Sequence, residues 1–303
     1  MRTLVTGATG FLGRAICSHL ESPVILSRDP VAAQRTLPRA TAHAWDGEQG
    51  APHPAAFEGI EAVIHLAGEP VAEGRWTVEK KRRIRDSRRD GTRRLVEGLA
   101  RLSSPPKVLV CASAVGYFGE GGEVELDESS PPGTDFLAQV CVEWEQEAMA
   151  AKALGLRVVC VRIGVVLGRE GGALARMLTP FRMGVGGRLG SGKQWMPWVA
   201  MEDVVGIFLH AQSSPEVEGP LNAVAPTPAT NAEFTQVLGR AVHRPAILPV
   251  PALALRLALG EMAGVLLSSQ KVVPRRTLAS GYMFRQVDLA DCLRAAVTSQ
   301  AAP

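Results

Sequence analysis

The sequence predicts an α/β fold: a doubly wound parallel sheet followed by a smaller, mostly helical C-terminal lobe. Three observations carry the prediction. The first thirteen residues read as a short apolar strand, a tight glycine turn and the start of a helix; apolar β-rich runs then recur between helical stretches; and from about Pro226 the chain turns to helix broken by prolines. Unbroken apolar strands alternating with helices imply a parallel sheet covered on both faces and wound by right-handed crossovers. At 303 residues with 46% apolar content, the chain can bury one large core and a smaller second one.

Leu4 and Val5 open the first strand. Gly7, Gly10 and Gly13 follow at intervals of three. That spacing lets the backbone turn sharply, approach a pyrophosphate and pack the new helix on the sheet, with the helix amides facing the anion. Leu12, Ala15, Ile16 and Leu20 continue as a helical stripe, the context that lifts the pattern above a bare glycine turn. A Rossmann dinucleotide site is the implied assignment. Further strands are expected at Val24–Leu26, Ala62–Ile64, Val108–Val110 and Val158–Val161, with the ligand beyond their carboxyl ends where the strand order reverses.

From Asp135 to Ala153, Leu137, Val140, Cys141, Trp144 and Ala148 share one face of a long amphipathic helix. The glycine-rich stretch of about 169–202 is expected as a loop-rich excursion over the ligand cleft. The dinucleotide-binding domain is therefore set at 1–225 and the helical substrate lobe at 226–303. Within the lobe, Thr230 and Glu233 read as a capping box ahead of Phe234, and Pro245, Pro249 and Pro251 break the run. Leu253 to Val273 is apolar, but Arg256, Gly260, Glu261 and Gly264 interrupt it, which argues for a buried or lobe-forming helix rather than a membrane span.

Bulk properties exclude several classes. A charged fraction of 21% and a net charge of +3 argue against a dedicated nucleic-acid binder. The basic run Lys80 to Arg83, with Arg85, Arg88, Arg89, Arg93 and Arg94, is interleaved with Glu79, Asp86, Asp90 and Glu97, the pattern of a solvated helix face that can also attract an anionic substrate. Five cysteines without a C-x-x-C pair suit a reducing compartment, and the glycine loop begins too close to Met1 for a signal peptide, so a cytoplasmic location is expected. No metal-ligand spacing and no G-x-S-x-G elbow occurs. Gly187 to Lys193 nearly spells an ATPase phosphate loop, but Gln194 stands where Ser or Thr must hold magnesium and Trp195-Met196-Pro197 follows where a helix must start.

The second strand ends in Leu26-Ser27-Arg28. A planar guanidinium there can grip a 2′-phosphate, with Ser27 as a supplementary donor, which favours NADP(H) over NAD; the neighbouring Asp29 is the residue an NAD site would use instead.

These residues resemble the extended short-chain dehydrogenase/reductase superfamily, in its sugar-nucleotide epimerase and dehydratase group. The match rests on Thr6-Gly-Ala-Thr-Gly-Phe-Leu-Gly13, His65-Leu-Ala-Gly68 and Asp90-Gly-Thr92. More narrowly, Leu66-Ala-Gly-Glu-Pro70, Arg75-Trp-Thr77, Asp86-Ser-Arg88, Val165-Val-Leu-Gly168, Gly190-Ser-Gly-Lys-Gln194, Asn222-Ala-Val-Ala-Pro226 and a C-terminal module around Pro274 to Phe284 are similar to its atypical "epimerase family", the SulA-type or cell-division-inhibitor-like branch. The resemblance implies a cofactor loop of Gly7, Thr9, Gly10, Phe11, Leu12 and Gly13. It also implies Ser27 and Arg28 at the 2′-phosphate, Leu66, Ala67 and Gly68 along the ribose, and Arg88 and Val166 lining the cofactor.

Members of the wider superfamily activate a tyrosine with a lysine four residues later. This chain cannot: its tyrosines are Tyr117 and Tyr282, followed at that distance by Gly121 and Gln286. On the expected helix, Phe136 or Leu137 takes the tyrosine position and Val140 or Cys141 the lysine position. Ser113, which resembles the superfamily's serine, and Tyr117 are the candidate catalytic residues; Cys141 and Glu145 read as structural. Two functions follow as expectations. One is an NADP(H)-dependent oxidoreductase or epimerase acting on a small molecule, anionic or nucleotide-sugar-like; the other is a non-catalytic NADP(H)-binding sensor or regulator, which the lost pair favours.

Overall fold

The computed structural model describes residues 1–298; residues 299–303, the end of the expected C-terminal lobe, lie outside the described residues. Seven parallel strands form the central sheet: Thr3–Thr6 (β1), Val24–Ser27 (β2), Thr41–Ala44 (β3), Ala62–His65 (β4), Val108–Ala114 (β5), Arg157–Ile163 (β7) and Gly219–Ala223 (β11). Three short pairs lie outside it: Glu125–Leu126 (β6) with Lys271–Val272 (β13), Val165–Leu167 (β8) with Trp198–Ala200 (β10), and Trp195–Met196 (β9) with Ala229–Thr230 (β12). The helices are Phe11–Cys17 (α1), Pro30–Thr36 (α2), Val78–Ala100 (α3), Phe136–Met149 (α4), Gly172–Arg182 (α5), Met201–Ser213 (α6), Asn231–Ala241 (α7), Ala252–Leu259 (α8), Ala263–Leu267 (α9), Arg275–Ala279 (α10) and Leu289–Thr298 (α11).

The sheet runs β3-β2-β1-β4-β5-β7-β11, so the winding reverses between β1 and β4. The register sets Leu4 beside Val24 and Val63, and Ile64 beside Val110. Leu4, Val5, Ile25, Val63, Ile64, Leu109 and Val110 are buried in the sheet, the both-faces-covered pattern that a parallel sheet requires. The two strands the apolar pattern does not mark, β3 and β11, are the two edges: Thr41-Ala-His-Ala44 has no apolar run, and Gly219-Pro-Leu-Asn-Ala223 opens on turn residues. Edge strands have one neighbour fewer and carry a weaker hydrophobic signal.

Two segments differ from the sequence expectation. The glycine-rich stretch 169–202 is not only loop: it contains α5, whose Leu174, Leu178 and Phe181 are buried at i, i+4 and i+7. The flanking glycines conceal an eleven-residue helix. These side chains join Leu167, Trp198, Phe234, Leu238 and Leu293 in a second core, so this core is built from both sides of residue 225. The apolar run from Leu253 is likewise broken at Gly260, whose φ of +63° ends α8. None of α8 is buried; Leu253 and Leu257 are 67% and 69% exposed. Among the described residues, no helix is long and apolar enough to cross a membrane.

Candidate functional site

The glycine turn is built for close approach. Gly7 has φ +67°, and a Cβ there would stand 2.8 Å from the Leu66 carbonyl carbon; a Cβ on Gly13 would stand 2.2 Å from the Gly7 oxygen. Gly10 N donates to Gly7 O at 3.1 Å and starts α1 with no side-chain cap, leaving backbone amides beyond the turn for an anion. Thr9 is exposed and its carbonyl accepts from Arg14 Nη1 at 2.9 Å. Phe11 and Leu12 turn their side chains to packing: the Phe11 ring fills the space where Cβ atoms on Gly168, Gly171 and Gly172 would sit, and Leu12 packs on the main core.

At the end of β2, Arg28 is exposed beside an open cleft of about 450 Å³ that it lines with Trp45, Asp46, Gln49 and His53. Asp29 does not compete with it, because its Oδ1 caps α2 by accepting from Ala32 N at 2.9 Å. Ser27 Oγ is tied to the Asp29 backbone. At the end of β4, Leu66 N and Ala67 N donate to Thr6 Oγ1 at 3.1 and 3.2 Å. These two residues therefore offer a ligand surface rather than amide protons. Thr6 Oγ1 also lies 2.7 Å from His65 Nδ1, and His65 Nε2 lies 3.0 Å from Thr92 Oγ1. With two amides donated to Thr6, its own proton goes to Nδ1, which fixes a neutral imidazole. Burial, with the Arg88 charge adding to it, pulls the His65 pKa down to about 4. Gly68 packs on the Arg88 guanidinium, and Val166 sits on β8 opposite Val199.

The face that α4 turns towards β5 is defined by contacts. A Cβ on Gly116, in the turn after β5, would meet Leu137 Cβ at 3.4 Å and Cys141 Sγ at 3.9 Å, so the stripe Leu137, Cys141, Glu145 faces the end of β5. Leu137 and Cys141, rather than Phe136 and Val140, are therefore the pair turned towards the end of β5. Burial pushes the Cys141 thiol up to about 12.

What surrounds Ser113 and Tyr117 is a buried charge network. Ser113 Oγ donates to Glu145 Oε1 at 2.7 Å, and Arg162 at the end of β7 donates to the same carboxylate through Nε at 2.8 Å and Nη2 at 2.9 Å. The Arg162 and Glu145 side chains are 4% and 13% exposed. The guanidinium lies 3.4 Å from the centre of the Tyr117 ring, and its Nη1 donates to the Glu128 carbonyl. Pairing with Glu145 raises the Arg162 pKa against the opposing effect of burial. Ser113 is itself buried with its proton given to Glu145, whereas the half-buried Tyr117 makes no side-chain hydrogen bond to any described residue. Arg162 is absent from the sequence-level site, and Glu145 stands there as structural. The available signal was a charged residue closing the apolar run Val158 to Val161.

Other candidates resolve differently. Tyr282 donates to Asp203 Oδ1 at 3.0 Å and locks the C-terminal segment to α6. A cavity of about 540 Å³ between α1, the start of α6 and α11 contains Phe11 but neither Ser113, Tyr117 nor Arg88.

Residues 3–223 match the NAD dependent epimerase/dehydratase family, and residues 250–296 match a domain of unknown function, DUF1731. The chain is 40% identical over 301 residues to the chloroplastic "Epimerase family protein SDR39U1 homolog" of Arabidopsis thaliana, covering 97% of this chain and 86% of that protein. Among solved structures it is similar to the human epimerase family protein SDR39U1 (isoform 2) crystallised with NADPH, at TM-score 0.88 and 37% identity over 99% of this chain and 100% of that one. It is also similar to the nucleoside-diphosphate sugar epimerase of Corynebacterium glutamicum, at TM-score 0.79 and 31% identity over 98% of this chain and 58% of that one.

Proposed function

Because the chain belongs to the NAD dependent epimerase/dehydratase family, we propose that it binds NADP(H) across the β1/β4 reversal and reduces a carbonyl of a small molecule, with Tyr117 as proton donor. The cofactor fits what is present. The glycine turn has space that any Cβ would fill, and Arg28 is exposed at the end of β2 with Asp29 already engaged as a cap. The relative crystallised with NADPH supports the choice of the phosphorylated form. When bound, reduced nicotinamide supplies the hydride that goes to the carbonyl carbon.

The protein's part is the proton. Tyr117 carries a hydroxyl that no described residue engages, and its ring rests on Arg162 at 3.4 Å, where the cation can stabilise negative charge developing on the phenol oxygen as its proton passes to the reacting oxygen. That stack is the observation carrying the proposal. Glu145 fixes Arg162 by a bidentate pair, and Ser113 fixes Glu145. A small molecule of anionic or nucleotide-sugar type remains the substrate class, on the strength of the relative named as a nucleoside-diphosphate sugar epimerase.

Single-turnover oxidation of bound NADPH against a panel of carbonyls and sugar nucleotides tests this. Saturable consumption by the wild type and its loss in Tyr117→Phe, with NADPH affinity retained, is the expected result; unchanged kinetics eliminates Tyr117. Leu137 and Cys141, the pair turned towards the end of β5, favour a second reading, a non-catalytic NADP(H) sensor. Tight binding with no turnover, together with a protein partner captured only in the presence of NADPH, is the outcome that selects it.

A further inference from the structure

We infer that the face formed by the end of α5, the run that follows it and α8 docks on a bilayer surface rich in anionic lipids, lying on the membrane rather than crossing it.

Two segments build this face side by side. Arg182 to Gly190 leaves α5 and runs along Arg244 to Val250: Arg244 Nε donates to the Arg182 carbonyl at 3.2 Å, Val250 N to that of Arg188 at 2.8 Å, and Gly190 N to that of Val250 at 2.9 Å. α8 follows directly. Beyond their arginines, 182–190 and 244–260 hold only methionine, aliphatic residues, glycine and proline. Met183, Val185, Ile247, Leu248, Leu253 and Leu257 are all exposed, Ile247 by 79% and Met183 by 72%. Six of the fourteen large apolar side chains that the described residues expose are thus gathered in two short stretches, the concentration of a contact surface rather than of scattered exposure.

The charge is equally one-sided. Arg176, earlier on α5, pairs with Glu73 at 3.9 Å, but Arg182, Arg188, Arg244 and Arg256 are exposed and meet no carboxylate among the described residues. No Asp or Glu occurs in either segment. Leu253 and Leu257 lie one turn apart on α8, with Arg256 between them in sequence. Apolar side chains that enter the headgroup and acyl boundary, interspersed with cations at headgroup level, suit an anionic bilayer. A second copy fits badly, because a two-fold interface would set these arginines against themselves. A folded protein partner also fits less well: such interfaces carry about one hydrogen bond per 100–200 Å², whereas the side chains here offer arginine donors and no oxygen acceptor.

Vesicle sedimentation tests the assignment on the full chain, with phosphatidylcholine alone and with phosphatidylcholine mixed in equal parts with phosphatidylglycerol. The wild type is expected to sediment with the mixed vesicles, to stay in solution with the neutral ones, and to be released as salt rises. Leu253→Ser with Leu257→Ser, and separately Arg244→Gln with Arg256→Gln, should each weaken that binding about tenfold or more. Val31→Ser, on α2 and 63% exposed, should leave it unchanged. Loss in the arginine pair alone would reduce the effect to bulk attraction by a basic protein and overturn the docking face; equal binding to both compositions overturns the anionic assignment. Wild type left in solution with both vesicles also overturns it and leaves the face to an acidic protein. A dimer in sedimentation velocity that dissociates in the leucine pair gives it instead to a second copy. Melting curves of each variant separate loss of binding from loss of fold.

Discussion

At the residue scale, the site turns on which charges are paired. Glu145 accepts from Ser113 and, twice, from Arg162 in a buried setting, so its removal strands a buried guanidinium. Glu145→Gln keeps the shape and deletes the charge; a loss of about 3–5 kcal/mol in urea-induced unfolding is expected, far above an exposed pair such as Arg294 with Asp291. His65 gives the acid response. Its folded pKa of about 4 lies below the ordinary value of 6.5, so the unfolded state takes up the proton first. Stability from this residue is full above 6.5 and falls as the pH drops from there towards 4, by about 3 kcal/mol in all. Unfolding free energies measured across that window should fall less steeply in His65→Gln than in the wild type. The glycine turn was legible because its geometry is written in one short stretch of chain, Gly7 to Gly13. The Glu145–Arg162 pair was not, since it joins residues seventeen positions apart on a helix and a strand.

At the element scale, legibility follows local signals. The capping box is one: Thr230 Oγ1 accepts from Glu233 N while Glu233 Oε2 accepts from Thr230 N at 2.7 Å, as the two residue types and their spacing predict. Thr230→Ala should cost about 1 kcal/mol in thermal or denaturant unfolding. α8 shows the opposite case. Its composition, Ala252-Leu-Ala-Leu-Arg-Leu-Ala-Leu259, reads as core, yet no residue of it is buried. Side-chain clasps hold it where the sequence led us to expect packing: Arg75 Nε donates to the Ala258 carbonyl at 3.0 Å and Nη2 to that of Leu257, and Lys81 pairs with Glu261 at 2.7 Å just beyond. A helix secured at one end by exposed polar contacts opens at low free energy. Arg75→Ala should therefore speed amide exchange through 252–259 and leave β4 and β5 protected; uniform protection in the variant would show that apolar contacts suffice.

At the scale of the whole molecule, the question is where one folding unit stops. Composition places a boundary near residue 225, because helix-rich sequence starts there. The cores divide the chain differently. Leu167, Leu174, Leu178, Phe181 and Trp198 precede that point, yet bury themselves with Phe234, Leu238, Cys292 and Leu293, which follow it. Polar contacts cross it too: Asn222 on β11 donates from Nδ2 to the Val273 carbonyl at 2.9 Å, and the buried Glu128 accepts from the amides of Asn222, Arg276 and Thr277. Sequence periodicity marks helices and strands, but which core each apolar stripe joins is decided by contacts distant in the chain, and nothing local records it. A fragment ending at Ala225 would keep the main sheet while exposing five large apolar side chains from the second core and leaving Glu128 without three of its donors, the Arg276 and Thr277 amides and the Thr277 hydroxyl. Such a patch drives association. The fragment should be aggregation-prone or lose cooperative unfolding, whereas addition of 226–298 should restore a single transition. A soluble, sharply melting fragment of 1–225 that binds NADPH would place the boundary where composition alone puts it.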